Sequence, residues 1–241
     1  YALVAQRAFH EWDINSEDLA EIAVSARKYS LLNEKAFNYG KNELTVDDVL
    51  NSGIISSPLH KLDCCLVTDG GGAVLITNDK IAESLGLPKI KVKGFGQLDT
   101  HISYSQMPNY LITGAEQSSK NALSQSKMSL DDIDIFQVYD SFTITVLSTL
   151  ASIGMDQPKN IIEKYKTGHY SLNGQQPVNT SGGGLSYCHP GMLGLLLVIE
   201  AVKQLSGELD NRQVENASTA LVHGTGGVFS THATMILERL G

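Results

Sequence analysis

The 14 residues from Met192 to Leu205 set the tightest limit on what this chain can fold into. On a helix, Leu193, Leu195, Leu196, Leu197, Val198, Ile199, Ala201 and Val202 point in every direction around the axis. A helix apolar all round has to be buried on all sides. The stretch also carries Glu200 and Lys203, and it is too short to span a membrane. Its burial must therefore come from the protein itself. The expectation is a helix lying between two sheets, as the central layer of a layered α/β fold.

The flanking sequence supplies the alternation such a fold needs. Residues 1 to about 60 read as helix-rich. Asn15-Ser16-Glu17-Asp18 is a capping signal ahead of an apolar stripe at Leu19, Ile22, Ala23 and Ala26, and Thr45-Val46-Asp47-Asp48 opens a shorter helix in the same way. Asn33 to Asn42 is polar and reads as a surface excursion. Leu62 to Val67 and Ala73 to Ile76 read as strands around an Asp69-Gly70-Gly71-Gly72 turn. Ser218 to Val222 and His232 to Leu237 repeat that arrangement around His223-Gly224-Thr225-Gly226-Gly227, the mark of a duplicated fold.

Between these units lie a strand at Ile90 to Phe95 and a helix from Thr113-Gly114-Ala115-Glu116 to about Ser126. Ser129-Leu130-Asp131-Asp132 is a cap or turn leading into a strand at Ile135 to Val138. A helix follows from Ser141 to about Ile153, stopped by Gly154. Pro158 and Gly168 frame one more helix. Alternating strands and helices imply an α/β architecture. A boundary near Pro88 divides the chain into residues 1–88 and 89–241.

Composition excludes several classes of function. Of 241 residues, 42% are hydrophobic and 18% charged, which suits a well-packed enzyme and not a disordered chain. A formal charge of −8 without a lysine–arginine cluster argues against a nucleic-acid surface. Three cysteines without CxxC spacing point to a reducing, cytoplasmic setting and to no structural zinc. Cys64 and Cys65 sit in an apolar run and read as strand core. His101, His169 and His232 lack metal-cluster spacing, so no metal site is expected. No signal peptide is visible. Residues 1–5 read as the middle of a helix, and more of the natural protein is expected upstream.

Chemistry concentrates in Ser181-Gly182-Gly183-Gly184-Leu185-Ser186-Tyr187-Cys188-His189-Pro190-Gly191. This places a histidine between a glycine loop and the start of the apolar helix. The positive end of the helix would disfavour imidazolium, keeping His189 neutral near pH 7 and able to accept a proton. Ser181, Gly182 and Gly183 would let the backbone approach a ligand closely. His223-Gly224-Thr225-Gly226-Gly227 offers N–H groups for an oxyanion, and a tight turn explains it equally well. Tyr139-Asp140-Ser141-Phe142 stands where a strand ends and a helix begins, the usual place for a ligand site. Asp140 or Ser141 reads as the helix cap. Tyr139 reads either as an edge aromatic or as a proton donor. Gly94-Phe95-Gly96-Gln97 has the start of a dinucleotide fingerprint but lacks the third glycine and the following helix.

In combination these segments resemble the C-terminal part of the thiolase superfamily. Val178-Asn179-Thr180-Ser181-Gly182-Gly183-Gly184 running into His189-Pro190-Gly191 is similar to that family's asparagine, glycine and histidine–proline motif. Thr68-Asp69-Gly70-Gly71-Gly72-Ala73 resembles its aspartate–glycine segment. Tyr139-Asp140-Ser141-Phe142 and the helical opening point to the sterol-carrier or lipid-transfer branch. The resemblance implies a five-layer αβαβα fold, here an incomplete N-terminal half followed by a complete C-terminal half. It also implies a homodimer, and a substrate carrying coenzyme A as its thioester with no other cofactor bound. For this branch it further implies a small OB-fold, zinc-ribbon partner.

Under the same resemblance His189 is the base, and the reaction makes or breaks a carbon–carbon bond by thiolase-type acyl transfer. The family's nucleophilic cysteine belongs upstream of Tyr1, so these residues alone are expected to be inactive. Its second cysteine falls at about Gly224, beside His223, where no thiol stands. Tyr139 and His189 match positions to which steroid side-chain aldolases assign a retro-aldol cleavage, the alternative reaction. A tyrosine with an ordinary pKa near 10 is a poor base at pH 7, so either His189 assists or Tyr139 is perturbed. A third reading is a non-catalytic acyl-CoA-binding subunit.

Overall fold

The computed structural model describes residues 1–107 and 109–240. Helices open the chain: α1 (Ala2–Trp12), α2 (Ser16–Leu31) and α3 (Val46–Leu50). Asn15 and Thr45 start α2 and α3 with reciprocal caps. The side chains accept the N–H groups of Asp18 and Asp48 at 3.1 Å, and those carboxylates accept the cap N–H groups at 3.0 and 2.9 Å. A hairpin of β1 (Ile54–Ser56) and β2 (Leu59–His60) and the short helix α4 (Asp79–Ser84) precede β3 (Ile90–Asp99). Then come α5 (Ala115–Ser126), β4 (Ile135–Val138), α6 (Thr143–Ile153) and α7 (Pro158–Lys166). The chain ends with α8 (Gly194–Ser206), β5 (Thr219–Gly226) and β6 (Thr231–Arg239). Gly154, at φ 90°, terminates α6 as the sequence indicates.

Four strands form one mixed sheet in the order β3–β6–β5–β4, with β4 parallel to β5 and the other pairs antiparallel. Apart from a register shift in β3 between Val92 and Gly94, its side chains alternate between the two faces. Ile135, Ala220, Val222 and Leu237 pack towards Leu193, Leu197, Ala201 and Leu205 of the α8 region. Phe136, Val138, Leu221 and Ile236 pack on the other face with Ala115 and Ala122 of α5 and with Ile144 and Leu147 of α6. Each of the larger of these side chains contributes about 1.5–3 kcal/mol on burial and the alanines less, so register and layering reinforce each other. No described helix is long and apolar enough to cross a membrane.

The two glycines of the abortive dinucleotide fingerprint have a packing role instead. A Cβ on Gly94 or Gly96 would lie 2.1 Å from the carbonyl oxygens of Ala122 and Ser118. The backbone of α5 rests directly on β3 there, and any side chain would push it away.

The structure corrects several expectations. Leu62 to Val67 and Ala73 to Ile76 are not strands: a 3₁₀ turn covers Lys61–Asp63, and the chain then runs extended without a ladder. A strand needs a continuous ladder, and this segment makes only an isolated bridge from Cys64 to Phe142 and single bonds from Cys65 and Leu66 to the Ser141 and Gly184 carbonyls. Leu75 and Ile76 are accordingly exposed, and the duplicated strand–glycine–strand unit is absent. Likewise α8 buries only one side, at Leu196, Leu197, Glu200, Ala201, Gln204 and Leu205, whereas Leu195 is 45% exposed. Its outer side is crossed by the extended segment, where a Cβ on Gly72 would meet Ile199 Cδ1 at 2.3 Å. The mixed α/β architecture stands, with the four-stranded sheet covered by helices on both faces.

The polar run from Asn33 to Asn42 is largely at the surface, as its sequence indicates, with three inward-facing exceptions at Asn33, Ala36 and Asn38. Asn33 and Asn38 are buried, and their amides reach back to the glycine loop.

Candidate active site

Tyr139 follows the last residue of β4, and strand alternation places it with Ile135 on the α8 face. Its N–H donates to the His223 carbonyl at 3.0 Å, fixing it at the strand's C-terminal end. His189 reaches it from the glycine loop. The Tyr139 hydroxyl and His189 Nε2 are 3.2 Å apart, and the rings meet edge to face at 5.6 Å between centroids. Burial raises the phenol above its ordinary pKa and lowers the imidazole below its own. Both groups are therefore neutral near pH 7. Tyr139 is the donor, His189 Nε2 the acceptor, and the phenol oxygen accepts the Leu193 N–H at 3.5 Å. The imidazole's neutrality comes from burial and not from a helix end, since α8 begins five residues later, at Gly194.

Asp140, next to Tyr139, is the anchor that sequence reasoning misassigned. The cap position of α6 is Phe142, with no side-chain hydrogen bond, so neither Asp140 nor Ser141 caps that helix. Asp140 is fully buried and accepts the N–H groups of Gly184 at 2.7 Å and Leu185 at 3.1 Å. Those amides open a π-helical turn over Gly183–Tyr187. Burial pushes the carboxyl up to about 7, against the opposing pull of the amides. The approach explains the glycines. A Cβ on Gly183 would lie 2.1 Å from Asp140 Oδ2, and one on Gly184 would lie 2.8 Å from His189 Cδ2. The back of the loop is held through Ser186, whose hydroxyl pairs with Ser30 at 2.7 Å and accepts from Asn38 at 2.9 Å. Asn33 donates to the Ser181 carbonyl at 3.0 Å, and Asn179 Oδ1 accepts the Val138 N–H at 2.8 Å.

The remaining sequence-predicted residues divide between the two faces of the sheet. The N–H groups of Gly182 and Gly183 are taken by the Asn179 carbonyl at 2.9 Å and Ser181 Oγ at 3.1 Å. These three residues therefore build the loop and present no free amide at Gly182 or Gly183. His223 shares the face of Leu221, opposite Tyr139. Its buried ring pairs with Thr234 Oγ1 at 2.8 Å and His232 at 3.3 Å, away from His189. Gly224 shares the face of Val222 and hence of Tyr139. Because β4 stops at Val138 while β5 continues to Gly226, the backbone at Gly224 and Gly226 runs past the end of β4, with Gly227 in the following turn. Among the described residues, no group of histidine, cysteine and carboxylate side chains is arranged to hold a metal.

A family profile described as thiolase C-terminal domain-like matches residues 96–239. The chain is 30% identical over 241 residues to an acetyl-CoA acetyltransferase of Methanothermobacter thermautotrophicus, covering 99% of this chain and 62% of that protein. It is 27% identical to sterol carrier protein 2 of Homo sapiens, over 87% of this chain and 39% of that protein. A solved structure described as the Ltp2-ChsH2(DUF35) aldolase superposes with a TM-score of 0.90 at 28% identity. That match covers 99% of this chain and 62% of the solved one. The chain thus spans less than two thirds of the length of each.

Proposed function

The chain belongs to the thiolase superfamily, on its sterol-carrier-protein-like branch, and from that premise we propose that it acts on a carbon–carbon bond beside a CoA thioester. The observation carrying this reading is the neutral Tyr139–His189 pair, 3.2 Å apart at the C-terminal end of a parallel strand.

Both thiolase and aldol chemistry need a base and an acid that trade one proton around a thioester enolate. The pair's geometry suits the retro-aldol direction on a β-hydroxyacyl-CoA. The substrate hydroxyl gives its proton to the Tyr139 oxygen as the phenol's own proton passes to His189 Nε2. The Cβ–O bond becomes a carbonyl, the Cα–Cβ bond breaks, and its electron pair goes to the thioester as an enolate. The imidazolium then returns its proton, through Tyr139, to Cα. A carbonyl compound and a shortened acyl-CoA leave. A phenol raised above its ordinary pKa is no base alone, so the relay assigns that work to His189. We assign the enolate oxygen to the backbone N–H groups in the Gly224–Gly227 segment, where one donor would contribute about 3 kcal/mol of barrier lowering.

Acyl transfer is the second reading, favoured by the acetyltransferase relative. It needs a nucleophilic thiol. Cys65, pushed up to about 11 by burial, is a poor candidate, and position 224 is glycine. The Ltp2-ChsH2(DUF35) aldolase supports extending to this chain a partner protein of that second kind; the homodimer is proposed from the family resemblance alone. The test is turnover by the full-length protein, alone and with such a partner. A β-hydroxyacyl-CoA cleaved without added CoA supports the lyase. Cleavage of only a 3-oxoacyl-CoA, dependent on CoA, overturns it in favour of acyl transfer.

A further inference from the structure

His189 sits between the end of the Gly183–Tyr187 turn and the start of α8 at Gly194, in a stretch without regular structure that includes Pro190 and Gly191 at φ 82°. Its ring is oriented by Tyr139, but a ring is only as fixed as the backbone that carries it. Among the described residues, that backbone is bonded from one place. The His189 N–H donates to Thr68 Oγ1 at 2.9 Å, and the His189 carbonyl accepts the Thr68 N–H at 3.4 Å. The Thr68 hydroxyl in turn donates towards Cys188 Sγ at 3.3 Å, so its donor and acceptor capacities are both used on this loop.

The segment carrying Thr68 is pressed against the loop on either side of it. The Leu66 N–H donates to the Gly184 carbonyl at 2.9 Å, and Cys188 Sγ lies 3.5 Å from the Asp69 carbonyl. A Cβ on Gly70 would stand 2.5 Å from Cys188 Sγ. We infer that Thr68 is the positioning residue of His189, a two-point backbone clamp that holds the imidazole at the Tyr139 hydroxyl. The clamp rests on the reading of His189 as the base. Thr68 itself touches no reacting atom, and its hydroxyl acts through the His189 amide.

The ionisable groups around His189 are Tyr139 on the sheet side, Cys188 in its own loop, and Asp140 across Gly184, while the clamping segment faces the loop at Asp69 through its backbone carbonyl. The imidazole's depressed pKa has burial as its first cause. Loosening the clamp would let water reach the ring and move that pKa up towards its ordinary 6.5.

The test compares wild type with Thr68→Val, which keeps the shape and removes the hydroxyl, and with Thr68→Ser, which keeps the hydroxyl. Gly70→Ala is an independent way to lift the segment off Cys188. Histidine-ring NMR titration of the full-length protein reads the His189 pKa without any substrate. Thr68→Val and Gly70→Ala are expected to raise the His189 pKa, and Thr68→Ser to restore the wild-type value. In turnover, Thr68→Val is expected to lower kcat about 10- to 100-fold with KM within about threefold. Hydrogen exchange of the wild-type His189 amide covers the case in which Thr68→Val does not fold, with protection like that of β4 amides expected. An unprotected amide, or a His189 pKa identical in wild type and Thr68→Val, overturns the clamp. A shifted pKa in a protein that turns over no CoA thioester would leave the clamp standing and refute the catalytic reading instead.

Discussion

At the scale of single residues, the site depends on one buried carboxylate and the glycines that make room for it. Gly183 has φ 58°, and its missing Cβ is replaced in space by Asp140 Oδ2. Gly183→Ala should therefore cost about 2–4 kcal/mol from combined strain and overlap, measured as a drop in urea-unfolding free energy. A variant as stable as wild type would mean that Asp140 does not occupy that space. Because His189 must be neutral to accept a proton and its pKa lies below the ordinary 6.5, kcat/KM should stay flat through neutrality and fall only at pH below about 6.5. A fall beginning above pH 7 would contradict the burial of the ring.

His189 stands out in the sequence from its glycine-loop context, whereas Tyr139 is singled out only by the family resemblance, and the structure places the two 3.2 Å apart. The role of Asp140 is not legible in the sequence. Its neighbour in sequence is the start of α6, while the amides it accepts are 44 and 45 residues away. Nothing local distinguishes a helix cap from a cap on a distant turn.

At the scale of elements, period-two alternation decides which side chains share a face, and it separates His223 from Tyr139 although the two are bonded through backbone. On the α5 face the hydrogen bonds fix one tautomer for each histidine. His232 Nε2 donates to the Phe229 carbonyl at 2.9 Å, leaving its Nδ1 to accept from His223 Nε2. His223 Nδ1 then accepts from Thr234 Oγ1. Burial, with the neighbouring His232, lowers the His223 pKa to about 3. The unfolded chain binds that proton near pH 6.5, so the neutral pair's contribution is full above 6.5 and is lost as pH falls towards 3. Relative to His223→Gln, wild type should lose about 2 kcal/mol between pH 7 and pH 5 in denaturant unfolding. A pH-independent difference would show that the ring is not held neutral.

Helices α2, α3, α6 and α7 and strand β4 were all readable from caps, stops and periodicity. Residues 62–76 were not, since a strand exists only through its ladder and the pattern alone cannot supply a neighbour.

At the scale of the whole molecule, the sheet, α8 and the extended segment converge on one corner, where Tyr139, the glycine loop and His189 meet. Membership of the thiolase superfamily explains the layering, and the chain spans 62% of its acetyltransferase relative. What these residues bring together is an acid and a base, and we place enolate chemistry on that pair whichever partner group completes the reaction. That placement has a consequence shared by the acyl-transfer and retro-aldol readings: the α-protons of a bound acyl-CoA should exchange with solvent. The decisive measurement is deuterium incorporation at the α-carbon of an acyl-CoA incubated with the full-length protein in D₂O, read by mass spectrometry. Wild type should deuterate the thioester, and both His189→Ala and Tyr139→Phe should slow that exchange about 10²- to 10⁴-fold. Exchange at the wild-type rate in His189→Ala would show that the base lies elsewhere.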